Sequence, residues 1–223
     1  MDILEIEILT NNLDETEGFY SKNLGLEIVN KDHNSISFLA GQSTLTFVKT
    51  DKLKPKYHFA FNIPHNKLDE AIMWTSAKVD LIKNADNEIV TNFENWNAKA
   101  IYFYDNNANI VEFIARFDLK NETSKPFDIS SIQSISEIGI VTDAPIKLAD
   151  RLAEENNINS FAKGFKSETF ATLGNDNGLF IIVATNRKWY PTEQQAEKHY
   201  TKVKISTNGL TREIILNQQD LGS

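Results

Sequence analysis

The sequence contains no cysteine, and this absence removes several kinds of chemistry at once. Disulfide bridges, thiolate metal sites, iron–sulfur clusters and a cysteine nucleophile are all excluded. A chain without thiols fits a reducing compartment. Acidic residues also occupy the first positions, at Asp2 and Glu5, where a signal peptide would carry basic ones. We therefore expect a cytoplasmic protein.

Long apolar runs and an excess of basic residues are missing as well. No apolar stretch approaches the roughly 20 residues that a membrane-spanning helix requires. The 23 lysines and arginines are outnumbered by 31 aspartates and glutamates, which gives a net charge of −8. Because an acidic surface repels phosphate backbones, we expect neither a nucleic-acid partner nor a membrane partner.

What is present is typical of a globular protein. The 223 residues are 41% hydrophobic and 24% charged, so wholesale disorder is excluded. At a typical size of about 150 residues per domain, the chain has room for one large domain or for up to two small ones.

One order of elements recurs along the chain. Alternating apolar residues over 4–9 predict a half-buried strand, Asn12 opens a helix that Gly25 ends, and three short strands follow. The same order returns over 57–116. Residues 136–143 then repeat the pattern of the first strand, which indicates a third unit with additional strands after it.

These repeats predict an α+β fold of βαβββ units that form curled mixed sheets with the helices outside. We assign residues 1–117 to a complete domain of two units, 118–131 to a linker, and 132–223 to the third unit. A sheet edge left open on the third unit would need to be covered. It would pack on the first domain or pair with a second chain in a homodimer.

Three ionisable side chains are predicted to face away from the helices. Phenylalanines occupy one face of the strand at 58–63, so His58 lies on the other face. The same alternation places Glu5 and Glu112 on the inner face of their strands. If the first two units form one curled sheet, all three line its interior. Buried carboxylates are costly unless they are paired or bind a cation, and two carboxylates with one imidazole suit a divalent metal ion.

Each of these residues also has a purely structural interpretation. Glu5 could be solvated at a strand edge, and His58 could be a core histidine whose hydrogen bonds are satisfied. Glu112 could pair with Arg116, which lies two residues further on and on the same face.

Three segments carry a family resemblance. Residues 18–26 read Gly-Phe-Tyr-Ser-Lys-Asn-Leu-Gly-Leu, and residues 103–113 read Phe-Tyr-Asp-Asn-Asn-Ala-Asn-Ile-Val-Glu-Phe. With the strand His-Phe-Ala-Phe at 58–61, they resemble the vicinal oxygen chelate superfamily. That superfamily contains glyoxalase I, the extradiol dioxygenases, and the fosfomycin- and bleomycin-resistance proteins. The resemblance covers residues 1–117. It departs from the family pattern at Asn106, which replaces proline, and at Ala108, which replaces glycine.

The resemblance implies a metal at the centre of a U-shaped sheet, with Glu5, His58 and Glu112 as ligands. The first of these positions is more often histidine in the family. One imidazole with two carboxylates favours Lewis-acid chemistry over oxygen activation. The cofactor would be a divalent ion such as Zn, Ni, Mn, Fe or Co. Tyr102 lies at the position where the fosfomycin-resistance branch has a tyrosine that contacts the substrate, so the resemblance implies the same role here. The alternative is that Tyr102 only packs in the core.

Further candidates follow from position alone. Tyr104 is a second possible substrate contact, and Glu7 shares the inner face of the first strand and is a candidate base. In the third unit Glu137 overlays Glu5, but no histidine matches His58, so we expect no second metal site there. The segment 187–191, Arg-Lys-Trp-Tyr-Pro, could line a pocket or cap the domain, and packing is the favoured role.

The first functional hypothesis is a metalloenzyme that acts on a small oxygen-chelating substrate by isomerase, lyase or group-transfer chemistry. The alternative is a metal-free binding or resistance protein of the bleomycin-resistance type, which would sequester an aromatic or cationic ligand in the same cleft.

Overall fold

A computed structural model describes residues 1–217 and Leu221 of the chain. Its 14 strands belong to one continuous, open sheet. The strands are β1 (Asp2–Thr10), β2 (Glu27–Lys31), β3 (Ser35–Ala40), β4 (Ser43–Lys49), β5 (His58–Ile63), β6 (Leu81–Ile82), β7 (Thr91–Phe93), β8 (Ala98–Tyr104), β9 (Ile110–Arg116), β10 (Ser134–Thr142), β11 (Phe170–Asn175), β12 (Gly178–Ala184), β13 (Thr201–Thr207) and β14 (Leu210–Leu216).

Among the described residues, three α-helices connect the strands, one in each unit. They are α1 (Leu13–Glu17), which continues as a π-helical segment over Gly18–Leu24, α2 (Leu68–Ser76) and α3 (Pro145–Asn156). The Asn12 side chain caps α1 by accepting a hydrogen bond from the Glu15 amide, and Gly25 ends the π-helical segment with a φ of 95°. None of the described helices is long and apolar enough to cross a membrane.

The sheet confirms the repeated βαβββ architecture. In each unit the first strand lies parallel to a later strand of the same unit: β1 beside β4, β5 beside β9, and β10 beside β12. The chain ends, within the described residues, in the hairpin β13–β14.

The pairing between units differs from the expectation that the first and second units form one curled sheet. β1 and β5 are not adjacent, because β10 lies between them. One edge of β10 pairs antiparallel with β5 from Ser134 to Ile138, while β1 pairs mainly with β13. The second unit therefore forms its inner sheet with the third unit, and the first unit takes the C-terminal hairpin as its partner. The third unit thus packs on strands of residues 1–117, which was one of the two partners considered for it.

Two of the segments that carry the family resemblance meet in the core. Tyr20, from the π-helical segment, is fully buried and packs against the rings of Phe38 and Phe47, with centroids 5.4 and 5.0 Å away. Its hydroxyl donates a 2.7 Å hydrogen bond to Asp105 in the turn between β8 and β9. In that turn Ala108 adopts a φ of 59°, the left-handed conformation for which the resemblance expects glycine.

Candidate metal centre

Three buried ionisable side chains converge on the inner face of the sheet formed by the second and third units. His58 begins β5, Glu112 lies in the middle of β9, and Glu137 lies in β10. The strand register places both glutamates opposite Ala60, one from each neighbouring strand, so that the small alanine side chain leaves room between them. One ligand atom from each of the three residues lies within 4.8 Å of the others. We call His58, Glu112 and Glu137 the ligand group.

His58 is held in a form that can bind a metal ion. Its Nδ1 lies 3.2 Å from the Ile110 carbonyl oxygen, which favours a proton on Nδ1 and leaves the lone pair of Nε2 free. That Nε2 atom lies 3.5 Å from Glu112 Oε2. Burial lowers the pKa of His58 to about 4, so the imidazole is neutral at pH 7 and its contact with Glu112 is not an ion pair.

Glu112 is the least satisfied member of the group. Its Oε1 atom is buried and has no hydrogen-bond partner among the described residues. Burial, reinforced by the nearby Glu137 charge, raises the pKa of Glu112 well above its usual value. Tyr102 lies directly opposite Glu112 in the register of β8 and β9. Burial, followed by the charge of Glu112, raises the pKa of this phenol, so Tyr102 remains protonated at neutral pH.

Glu137 is held by a fully buried arginine. Arg116 NH2 contacts Glu137 Oε1, while its Nε donates to Ser136 Oγ at 3.1 Å and its NH1 lies 3.3 Å from Asp176 Oδ1. Burial raises the pKa of Glu137, and the Arg116 charge opposes this shift. Arg116, which the sequence allowed to pair with Glu112, therefore pairs with Glu137 instead.

The ligand group fits a divalent cation. A neutral imidazole nitrogen and two carboxylates are ordinary ligands for Mn, Fe, Co, Ni or Zn. The donor atoms lie within 4.8 Å of one another, which is close to the about 4 Å that can separate two ligands each held about 2 Å from the same ion. The free Oε1 atom of Glu112 is a buried acceptor that a cation would satisfy.

A cavity of about 630 Å³ opens onto the ligand group. Seven of its fifteen lining residues are aromatic, Glu94 adds a third carboxylate to those of Glu112 and Glu137, and Arg187 adds a cationic side chain. Of the two roles considered for the segment 187–191, lining a pocket is confirmed. The aromatic lining residues are Phe93, Trp96, Tyr102, Phe165, Phe170, Trp189 and Tyr190.

Two of the acidic residues predicted from the sequence lie elsewhere. Glu5 accepts a 3.1 Å hydrogen bond from Thr46 Oγ1 on β4. Glu7 accepts a 2.7 Å hydrogen bond from Tyr200 Oη and lies 2.7 Å from Lys202 Nζ. Neither belongs to the ligand group, because β1 is bordered by β4 and β13 rather than by β5.

The group that the structure brings together differs from the predicted ligand set at one position, where Glu137 stands in place of Glu5. The sequence contained a signal for this exchange, since Glu137 overlays Glu5 in the repeat. Of the two tyrosines, Tyr102 lines the cavity, whereas Tyr104 is 40% exposed and is not among the described residues that line it.

Gly139 on β10 allows Trp189 to pack beside His58, with their ring centroids 5.2 Å apart. A Cβ atom at this position would lie 2.6 Å from Trp189 Cη2 and 3.1 Å from the His58 carbonyl oxygen. We expect Gly139→Ala to lower the free energy of unfolding by about 1–3 kcal/mol, as overpacking does, and to change the tryptophan emission spectrum. Gly18→Ala is the control. A Cβ atom there meets nothing within 4 Å, so urea unfolding should show no loss of stability.

Comparison with known proteins supports the fold assignment. No protein-family model and no curated protein matches the sequence. Among solved structures, a Bacillus subtilis protein provisionally described as a dioxygenase is 13% identical with a TM-score of 0.60, and the match covers 98% of this chain and 86% of that one. A glyoxalase/bleomycin resistance protein/dioxygenase from Nocardioides is 16% identical with a TM-score of 0.43, over 57% of this chain and 89% of that one.

A third match is the fosfomycin resistance protein of Listeria monocytogenes, solved with Mn(II) and sulfate. It is 19% identical with a TM-score of 0.41, over 52% of this chain and 89% of that one. The likeness to the Bacillus subtilis protein, with its TM-score of 0.60 at 13% identity, concerns the fold alone. The chain has the repeated βαβββ fold that the resemblance to the vicinal oxygen chelate superfamily predicted, and the match to the Bacillus subtilis protein spans almost its whole length.

Proposed function

We propose that the protein is a divalent-metal-dependent enzyme that binds a small substrate through its oxygen atoms at His58, Glu112 and Glu137. The observation that carries the proposal is the convergence of these buried donors at a cavity, with Glu112 Oε1 left without a partner. When bound, the cation would supply Lewis-acid polarisation of the substrate oxygens. Isomerase, lyase and group-transfer reactions all use this chemistry.

The chain's own residues prepare the site for this role. The Arg116 guanidinium holds the Glu137 carboxylate in place by an ion pair, and the Ile110 carbonyl oxygen orients the His58 ring by its contact with Nδ1. The protonated hydroxyl of Tyr102 can donate a hydrogen bond to a substrate oxygen near Glu112.

The alternative function, a metal-free binding protein, is favoured by one observation. Arg116 already supplies a positive charge to Glu137, so the ligand group is partly neutralised without a metal. The domain boundaries, the cytoplasmic location and a homodimer stay predictions from the sequence.

The test is metal binding by purified protein and by matched single variants. Calorimetric titration of chelator-treated protein with Mn, Co, Ni and Zn should show one site per chain. Glu112→Gln, Glu137→Gln and His58→Ala should each weaken binding by at least about 100-fold, since even the partners that orient ligands contribute 10- to 100-fold. Glu5→Gln is the control, because it removes a carboxylate from outside the ligand group, and should bind as the wild type does.

The outcomes separate the two functions. A metal at 100 times its dissociation constant should stabilise the wild type by about 2.7 kcal/mol and leave the ligand variants unchanged. The absence of saturable binding by any of the four metals would leave the metal-free binding protein as the supported function. Loss of binding in Glu5→Gln but not in Glu112→Gln would move the site to β1.

A further inference from the structure

We propose that Asp176 is a positioning residue of the metal centre, which compensates the charge of Arg116 so that Glu137 stays available to a divalent cation. This role rests on the proposed function, because it concerns the same metal centre. It lies outside the ligand group, and it explains how a carboxylate that already has an arginine partner can also bind a metal.

Arg116 lies between two carboxylates. Its NH2 group contacts Glu137 Oε1 in the ligand group, and its NH1 group lies 3.3 Å from Asp176 Oδ1. The arginine side chain is fully buried, and that of Asp176 is 18% exposed. Because arginine keeps its positive charge in proteins, the buried guanidinium needs a carboxylate partner whether or not a metal is bound.

A cation at the ligand group would compete with Arg116 for Glu137. Both are positive, so each reduces the attraction that the other feels toward the shared carboxylate. If Glu137 were the only partner of Arg116, metal binding would leave a buried guanidinium without full compensation, which is costly. Asp176 removes this conflict, because it contacts Arg116 and does not belong to the ligand group.

The charges around the site balance when a divalent cation is bound. The carboxylates of Glu112 and Glu137 together match the two positive charges of such an ion. Asp176 then matches Arg116, which is the remaining buried charge in contact with the ligand group. Without Asp176, the metal-bound site would hold one positive charge in excess, and the affinity for the metal would fall.

Lys163 holds Asp176 in place without claiming its charge alone. Asp176 lies in the two-residue turn between β11 and β12, and Lys163 Nζ donates to both of its carboxylate oxygens, at 2.8 and 2.7 Å. The same Nζ atom lies 2.7 Å from Asp118 Oδ2, so Lys163 has a second carboxylate partner. Asp118 forms no ion pair with Arg116 among the described residues, which makes it a matched control.

The test compares isosteric variants of the two aspartates. Asp176→Asn keeps the shape and an acceptor oxygen for Arg116 but removes the charge, and Asp176→Glu is the conservative variant. Asp118→Asn removes a carboxylate that also lies 2.7 Å from Lys163 Nζ. Each full-length, chelator-treated protein is titrated with Mn and with Co by calorimetry, and urea unfolding measures its stability without metal.

We expect Asp176→Asn to weaken the binding of both metals about tenfold, the lower end of what partners of metal ligands contribute. Asp176→Glu should restore part of the loss, and Asp118→Asn should bind both metals as the wild type does. In the Arg116→Met background, Asp176→Asn should not weaken binding further, because the charge that Asp176 compensates is then gone.

Three results would overturn this role. The first is wild-type affinity in Asp176→Asn, whether or not its metal-free stability falls, since Asp176 would then be only structural. The second is an equal loss in Asp118→Asn, and the third is an undiminished loss in the Arg116→Met background. Either of these would indicate general attraction between a carboxylate and the metal.

The same titrations separate this role from the proposed function. If the wild type binds neither Mn nor Co, the enzyme proposal fails and the role of Asp176 fails with it. If the wild type binds metal and Glu112→Gln does not, while Asp176→Asn binds as the wild type does, only the role of Asp176 fails.

Discussion

Replacing Arg116 with methionine is expected to lower the free energy of unfolding by about 3–5 kcal/mol, as the loss of one partner from a buried ion pair does. Arg116 is fully buried, and it contacts Glu137, Asp176 and Ser136. Methionine fills much of the same volume but leaves the Glu137 carboxylate, which is 3% exposed, without its counter-charge. Urea unfolding of chelator-treated protein at pH 7 measures the loss.

A double-mutant cycle separates the charge from the packing. Removing both partners in Arg116→Met with Glu137→Met should cost less than Arg116→Met alone, because no uncompensated charge stays buried. Lys163→Met is the control. Lys163 also bonds Asp176, at 2.7 Å, but it is partly exposed, so its loss should cost about 1 kcal/mol or less. A double variant as unstable as the single variant would show that Arg116 acts by packing alone.

The stability of Arg116→Met with added Mn tests whether Glu137 is a metal ligand. If Glu137 is a metal ligand, a bound cation compensates its charge, and the loss of stability should shrink when the metal is present. An Arg116→Met variant that is equally destabilised with and without bound metal would argue that Glu137 lies outside the metal's coordination sphere.

Local patterns in the sequence predicted the elements that the structure contains. Alternation with a period of two identified the buried faces of β5 and β9, and so identified His58 and Glu112. Asn12 and Gly25 marked the ends of the first helical segment because capping depends on residues that are close in the chain. The repeated order of these elements was enough to predict the βαβββ fold.

The partner of β5 could not be predicted from such local patterns. The first strands of the first and third units share the same alternation and a matching glutamate, so both Glu5 and Glu137 were eligible to face His58. Which of them does so depends on strand pairing between distant segments, and the third unit pairs with the second. Arg116 provided a usable signal, since an arginine on a buried face needs a carboxylate beside it.

Packing was favoured over a pocket wall for 187–191 for a related reason. A cluster of cations and aromatic residues in a loop is compatible with both roles. Trp189 does both, because it is 3% exposed and still lines the cavity. Its role follows only from the position of β5 beside β10, which brings His58 within contact of the loop.

Asp105→Ala is expected to lower the free energy of unfolding by about 4 kcal/mol, because four donors lose one buried acceptor. Asp105 Oδ2 accepts from Tyr20 Oη and from Asn109 Nδ2, each at 2.7 Å. Its Oδ1 accepts from the backbone amides of Asn107 and Asn109, each at 2.8 Å. Each donor left unsatisfied in the core costs about 1–3 kcal/mol, and water entering the cavity would recover part of this loss.

Tyr20→Phe removes one of these hydrogen bonds. It tests whether segments 18–26 and 103–113, which carry the family resemblance, act in stability or in metal binding. It removes only the hydroxyl and leaves Asp105 with three donors, so it should cost about 1–2 kcal/mol by urea unfolding. In the Asp105→Ala background the same change should cost less, since the Tyr20 hydroxyl has then already lost its acceptor. Both variants should bind metal as tightly as the wild type when folded, because neither residue contacts the ligand group. Weaker metal binding by folded Tyr20→Phe would instead tie these segments to the site itself.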